Sequence, residues 1–367
     1  KYRVLLLEGR ARWEWRYLRN LFDRDEKWET ASVFCPSGEL PRGEGKDEFP
    51  ASRDALFSFD LVVLGELPRA SFRPQELEWI RDFVGDRGGG LILLDGQRES
   101  LRTHADGALG PLFPADWIAG RAEILPSALR LTPAGEGIAA LDLSADGLTR
   151  NAVWAMLRPP HRVEPLRPRP GAEVWVEAVT RGGEAVPAIL GRPFGAGRVL
   201  HVAFDESWRW RYEVADKHPT RFWNQLAMAM MESPFAVRDD RVSVDAGAPV
   251  QRPGERAMLR ARLRDERGRA LTGATVFAHV HRDGRRIAVL PMLPDESGGG
   301  AYRTETGALE PGEHEIRLVV KGIPEDDIRA RATFVVKPRD TGELADLAAN
   351  EPLMRQLASV SRGQFVR

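Results

Sequence analysis

The sequence predicts an α/β domain on a doubly wound, mostly parallel sheet, followed by an all-β sandwich. Three observations carry that expectation. Short continuous apolar runs, each closed by an acidic or glycine residue, alternate with amphipathic helical stretches near the start of the chain. Beyond residue 235 the apolar pattern changes to strict alternation, the mark of strands with one wet face. Turn signals such as Arg252-Pro-Gly-Glu255, Asp283-Gly284 and Glu310-Pro-Gly-Glu313 then punctuate the alternating stretches.

Taken in order, Arg3 to Leu7 is an apolar run ended by Glu8-Gly9, suited to a strand buried on both faces. Arg12 to Arg24 places Trp13, Tyr17, Leu18, Leu21 and Phe22 at helical spacing. Thr30 to Phe34 forms a second strand and Phe59 to Leu64 a third. Pro74 opens a helix with Leu77, Ile80, Phe83 and Val84 on one face, stopped by Gly88-Gly-Gly90. Leu91 to Leu94 is a fourth strand, and this alternation predicts right-handed crossovers and a flavodoxin-like sheet. Residues 97–170 read as loop, rich in proline and glycine. A strand over 173–179, a hairpin over 186–204 and a helix over 219–232 complete a first domain, 1–235. Residues 236–338 carry about seven short strands, the count of an immunoglobulin-like sandwich, without its Cys and Trp core. Over 339–367, Leu344, Leu347, Leu353, Leu357 and Val360 outline an amphipathic helical tail whose stripe needs a partner surface.

Composition narrows the function classes. The chain has 367 residues, 43% hydrophobic and 29% charged, which describes a globular protein with more than one core. Lys plus Arg is 53 against 54 for Asp plus Glu, so no net field favours nucleic acid. The single cysteine, Cys35, rules out an intrachain disulfide and a Cys-rich zinc site. No run approaches the roughly 18 apolar residues of a membrane span. The chain opens on Lys1 with strand-like sequence, and is expected to be a piece whose natural N-terminus carried targeting or anchoring segments.

One phrase occurs twice: Trp13-Glu-Trp15-Arg16-Tyr17 and Trp208-Arg-Trp210-Arg211-Tyr212, each after a strand. Parallel strands would deliver both to the carboxyl edge of the sheet, where open α/β sheets bind ligands. Arg12 to Asn20, Gly88 to Leu94, and Gly195 to Leu200 running into Asp205 to Arg211 resemble the class I glutamine amidotransferase-like domain of large bacterial membrane-associated proteins. The resemblance covers residues 1–235, and the attached sandwich is similar to the same set. It implies an extracytoplasmic, periplasmic place, anchored through membrane segments absent from this chain. It also implies a Gly-x-Cys-x-Gly elbow and a His-x-Glu pair, yet the elbow position reads Asp95-Gly96-Gln97, Cys35 follows the wrong strand, and His201 has no Glu two residues on. The domain therefore reads as a pseudoenzyme with no catalytic residue and no cofactor.

The candidate ligand-binding residues are Arg12, Trp13, Trp15, Arg16, Asp95, Asp205, Glu206, Trp208, Trp210 and Arg211. Two readings compete for them. Arginines stacked on indoles and paired with carboxylates hold an edge together without a ligand, whereas an aromatic and cationic cleft takes a protein, peptide or glycan partner at the cell envelope. Since alternate residues cannot all face inward, some of these aromatics should be exposed. Asp95, Asp205 and Glu206 together would suit acid/base work or a cation, although carboxylates at strand ends more commonly pair with nearby arginines. His279 and His281 share one face of a strand without a third ligand, so no metal is expected. Ser100, Thr103 and His104 lie in a polar loop lacking a hydrolase elbow. Expected overall is a non-catalytic binding or scaffolding module, with an atypical amidotransferase or hydrolase as the alternative.

Overall fold

The computed structural model describes residues 1–337 apart from 121–123, 145–146, 212–216, 233–236, 239–240, 248–249, 266–268 and 296–299. The tail expected over 339–367 lies outside the described residues, as does Tyr212 of the second aromatic phrase.

Strand β1, Tyr2–Glu8, lies one place in from the edge of the first sheet. Its side chains alternate between two cores: Val4 and Leu6 pack with Leu18, Phe22 and Phe222, whereas Leu5 and Leu7 pack with Leu77 and Ile80. That is why the run is apolar at every position. Helix α1, Trp13–Arg24, buries Leu18 and Phe22, one turn apart on a single face. Strand β2, Trp28–Phe34, returns parallel to β1. Strand β3, Leu61–Leu64, lies on the other side of β1 and leads to helix α2, Pro74–Asp82. Proline opens that helix, and the Glu76 carboxylate accepts from the Arg73 backbone N–H at 2.8 Å. Gly88, at φ 87°, takes the left-handed conformation that ends the turn before strand β4, Gly90–Leu94.

The sheet then departs from expectation. Strands β5 (Pro126–Leu131), β6 (Glu173–Thr180), β7 (Ala185–Phe194) and β8 (Gly197–Val202) extend it to the order β2-β1-β3-β4-β8-β7-β6-β5. β8 runs parallel to β4 on one side and antiparallel to β7 on the other. From β7 to β5 every pairing is antiparallel. The doubly wound, flavodoxin-like sheet is thus corrected to a mixed sheet in a molecule that is mostly β. Of the four added strands only β5 lies in the stretch read as loop; the others are the strand and hairpin expected over 173–204, which join the same sheet antiparallel. After β4 the chain makes antiparallel ribbon, and β8 reaches β4 from a hairpin instead of a helical crossover. Helix α3, Lys217–Met231, then packs Phe222 and Leu226 on the core shared with α1.

The second layer is also corrected. In place of an immunoglobulin-like pair of sheets there is one nine-stranded sheet. Arg285–Pro294 pairs with Val276–Arg282 along most of its length and with Ala301–Glu305 at Leu293 and Pro294, so the two halves are continuous through it. Val276, Ala278 and Val280 alternate into a core with Ile316, Leu318 and Phe334. The alternation and the return of the chain over 287–290 were legible; the extension of that strand to Leu293 and Pro294, which joins the halves, was not. Arg262 links the layers, donating both Nη atoms to the Asp86 carbonyl oxygen at 3.3 Å.

Candidate functional site

Because β1, β3, β4 and β8 are parallel, the residues that follow each of them emerge at one edge. Those residues are acidic: Glu8, Glu66, Asp95, and the pair Asp205 and Glu206. One guanidinium ties them together. Arg12 Nε donates to Glu8 Oε2 at 2.8 Å, and Nη1 lies 3.4 Å from Asp205 Oδ2. Its remaining N–H groups reach the carbonyl oxygens of Asp95 at 2.8 Å and Leu94 at 3.1 Å. A planar fork with five donors suits this task, since it closes the ends of three strands at once.

Glu8 also accepts from the backbone N–H groups of Arg10 and Glu66, at 3.0 and 3.1 Å. Glu66 accepts from Arg98 N at 3.2 Å and from Ser100 Oγ at 2.8 Å. Gly65 and Gly96 let the chain pass this network, for a Cβ at the first would collide with Glu8 and Arg12, and at the second with Glu66 and Arg12. Burial pushes the Asp205 carboxyl above its usual range, with Glu206 and Glu66 adding to the effect and Arg12 opposing it. Glu206 is held by the backbone and ring of His161, with Nδ1 at 2.8 Å from Oε1, and by Arg209.

The two aromatic phrases meet. The Trp13 and Trp208 ring centroids are 6.1 Å apart, Tyr17 stacks on Trp208 at 6.5 Å, and Arg211 lies 4.1 Å over the Tyr17 ring. Arg16 stands 5.2 Å over Trp13, which is 51% exposed and so offers a large open aromatic face. Not all the tryptophans share this role. Trp15 stacks on Phe34 at 4.9 Å, and Trp210 is buried against Phe222 with its Nε1 donating to the Arg158 carbonyl oxygen at 3.0 Å.

Glu14, between Trp13 and Trp15, joins the phrases from below. It is buried and accepts from Ser207 Oγ, from Trp223 Nε1 at 3.0 Å and from Trp208 N at 3.3 Å. Burial raises its pKa to about 7, against the lowering effect of those donors. Two cavities flank Trp208. One of about 210 Å³ lies at the sheet edge, lined by Arg10, Arg12, Trp13, Glu66, Gln97, Asp205 and Glu206. The other, of about 220 Å³, lies between α1 and α3.

Asp95 turns inward. It is fully buried, and its Oδ2 lies 2.6 Å from His201 Nε2 beneath Trp117 and Phe113. Nearby Glu164 is pushed to a pKa of about 7 by burial and by Asp95, and pairs with Arg162. The Ser100 hydroxyl donates to Glu66, the Thr103 hydroxyl donates to the Ser100 carbonyl oxygen, and His104 is buried with Nε2 2.9 Å from the Leu67 carbonyl oxygen. Cys35 is buried and its pKa raised by that burial, which leaves the thiol inert. His279 and His281 sit on a strand face of the second layer, and among the described residues no group of three acidic, histidine or cysteine side chains is placed to hold a metal ion.

Sequence reasoning missed Glu8, Glu66, Glu164 and His161, and gave Glu14 only as an ion-pair partner for the arginines, where its donors are Ser207, Trp208 and Trp223. Glu8 and Glu66 were findable, because Glu8-Gly9 and Gly65-Glu66 end apolar runs in the same way as Asp95-Gly96. Glu164 and His161 lie in the stretch read as loop.

No protein-family model matches the chain, and no curated protein matches it. Among solved structures it is similar to a cytoplasmic protein of Salmonella typhimurium, at 14% identity and a TM-score of 0.45, over 62% of this chain and 98% of that one. A β-galactosidase of Rahnella sp. R3 is 13% identical with a TM-score of 0.34, over 83% of this chain and 41% of that one. A GH42 β-galactosidase of G. stearothermophilus is 13% identical with a TM-score of 0.34, over 84% and 40% respectively. The chain thus spans about two fifths of the β-galactosidases it matches. No glutamine amidotransferase is found among the similar structures, so the expected membership in that family is corrected.

Proposed function

We propose that the chain is a non-catalytic binding module that recognises a protein, peptide or glycan at the carboxyl edge of its first sheet. The observation that carries this reading is the meeting of Trp13 and Trp208 at 6.1 Å, beside a cavity floored by Asp205 and Glu206. The charged groups of the edge are largely occupied with one another and with main chain, which fixes the rim. The open faces left for a partner are aromatic, and aromatic faces with a few fixed polar groups are what such partners use.

Panels of immobilised peptides and oligosaccharides test this. The expected result is a bound class whose affinity falls about tenfold or more in Trp13→Ala, the loss typical of an aromatic anchor, with the circular dichroism spectrum unchanged. Equal retention of every bound class by the variant overturns the reading. The rival is hydrolysis through Asp205 and Glu206, favoured by the raised pKa of Asp205 in the same cavity. Turnover of aryl glycosides or esters that disappears in Asp205→Ala would replace binding with catalysis. A place outside the cytoplasm, within a larger membrane-associated protein, is carried as part of this proposal. It is tested by the complete reading frame, where upstream apolar spans of about 20 residues are expected.

A further inference from the structure

The second sheet leaves one strip of its surface bare. Arg285–Pro294 pairs with Val276–Arg282 on one side, whereas on its other side, among the described residues, only Leu293 and Pro294 are paired. Its side chains alternate between the faces of the sheet. Ala288, Leu290 and Met292 turn toward the core, and Ile287, Val289 and Pro291 turn away from it, the first two 49% and 48% exposed. Phe277 stands in register beside Pro291, and Val319 beside Phe277, both half-buried on the same outer face. None of these five side chains belongs to the core of the sheet. Arg317, on the same face, is held by Glu315. Apolar surface of this kind, rimmed by charge, marks an interaction site.

We propose that a segment of the same chain, residues 352–362, docks on this strip. Those residues lie outside the described ones, and their sequence supplies the match. Pro352 suits the first turn of a helix and Gly363 the position past its end, which puts Leu353, Leu357 and Val360 on one face and Arg355 and Arg362 on the other. The lengths agree, for Leu353 to Val360 spans about 10 Å along a helix and Ile287 to Pro291 about 14 Å along a strand. The reach is ample as well. The described chain ends at Lys337, just past Arg331–Val336, which lies three places from Arg285–Pro294 in the sheet. That separation is about 14 Å, and residues 338–351 extend to about 45 Å. A second copy of the chain fits less well. A stable interface takes about 20–30 residues a side, whereas the strip has the few apolar side chains that one short helix covers. Pro291 and Pro294 also remove N–H groups that edge-to-edge pairing of two copies would use.

Hydrogen exchange of the intact chain, read by mass spectrometry, tests the proposal. A lone helix of about eleven residues is marginal in water, so amides over 352–362 exchange almost freely unless the segment is docked. Their exchange is expected to be slowed by about tenfold or more relative to the chemical rate. Val289→Asp and Leu357→Asp, one on each side of the contact, are each expected to abolish that protection. Val289 is exposed, so its substitution leaves the sheet folded, and unchanged exchange over 276–282 checks this. Arg355→Ala, on the opposite face of the helix, is expected to keep the protection. Free exchange over 352–362 in the wild type overturns the proposal, as does protection that survives both Val289→Asp and Leu357→Asp, or an equal loss in Arg355→Ala. Protection that appears only as the chain dimerises in sedimentation gives the strip to a second copy and overturns it too.

Discussion

Glu14 shows how one side chain can set a pH response. Its carboxyl is buried among donors and holds its proton to about pH 7, whereas in an unfolded chain it ionises near 4.5. The folded pKa is the higher one, so its contribution to stability is fully present below about pH 4.5 and is lost as pH rises through 7. At 1.36 kcal/mol per pKa unit the swing is about 3 kcal/mol. Glu14→Gln cannot titrate. Urea melts of both proteins between pH 4.5 and 8 are therefore expected to show the wild type losing about 3 kcal/mol relative to the variant as pH rises. A difference that stays flat with pH would mean that Glu14 is charged in the fold. From the sequence Glu14 reads as an ion-pair partner for the neighbouring arginines, because its burial among neutral donors depends on tertiary packing. Trp13 and Trp208 were legible as a pair because the phrase repeats, but which tryptophans face outward depends on tertiary packing and could not be read.

At the scale of elements, the strands and their turns were the legible part. Apolar runs closed by a glycine beside an acidic residue, Glu8-Gly9, Gly65-Glu66 and Asp95-Gly96, located β1, β3 and β4, because strands buried on both faces leave no other pattern. The turns that follow do more than end a strand. Gly96 lies against Glu66 and the pinned guanidinium of Arg12, neither of which has room to swing aside. Gly96→Ala is expected to destabilise the protein by about 1–3 kcal/mol, the usual cost of overpacking, in denaturant titration. An unchanged midpoint would show that the Arg12 network yields. The antiparallel ribbon of β5 to β7 was only partly legible. The hairpin of β7 and β8 was read, but β5 is a short strand among prolines and glycines that gives a weak signal, and pairing of the hairpin with β4 in one sheet depends on tertiary contacts.

For the whole molecule, the apolar side chains of the second sheet form a cluster separate from those of the first. Arg262 crosses between them to the Asp86 carbonyl oxygen and lies 3.7 Å from its carboxylate, with little of its own side chain exposed. Arg262→Ala is expected to split a single calorimetric transition into two, each core melting on its own, and an undivided transition would show that other contacts couple them. The change of period near residue 235 made two layers legible. That the second is one continuous sheet was not, since it depends on Leu293 and Pro294 pairing across to Ala301–Glu305. Trp208 has a wider consequence. It is a shared wall, so any occupant that shifts the indole in one cavity alters the space of the other. By reciprocity the factor by which an occupant of one cavity changes affinity at the other is the same in both directions, so a single ring would couple the two spaces.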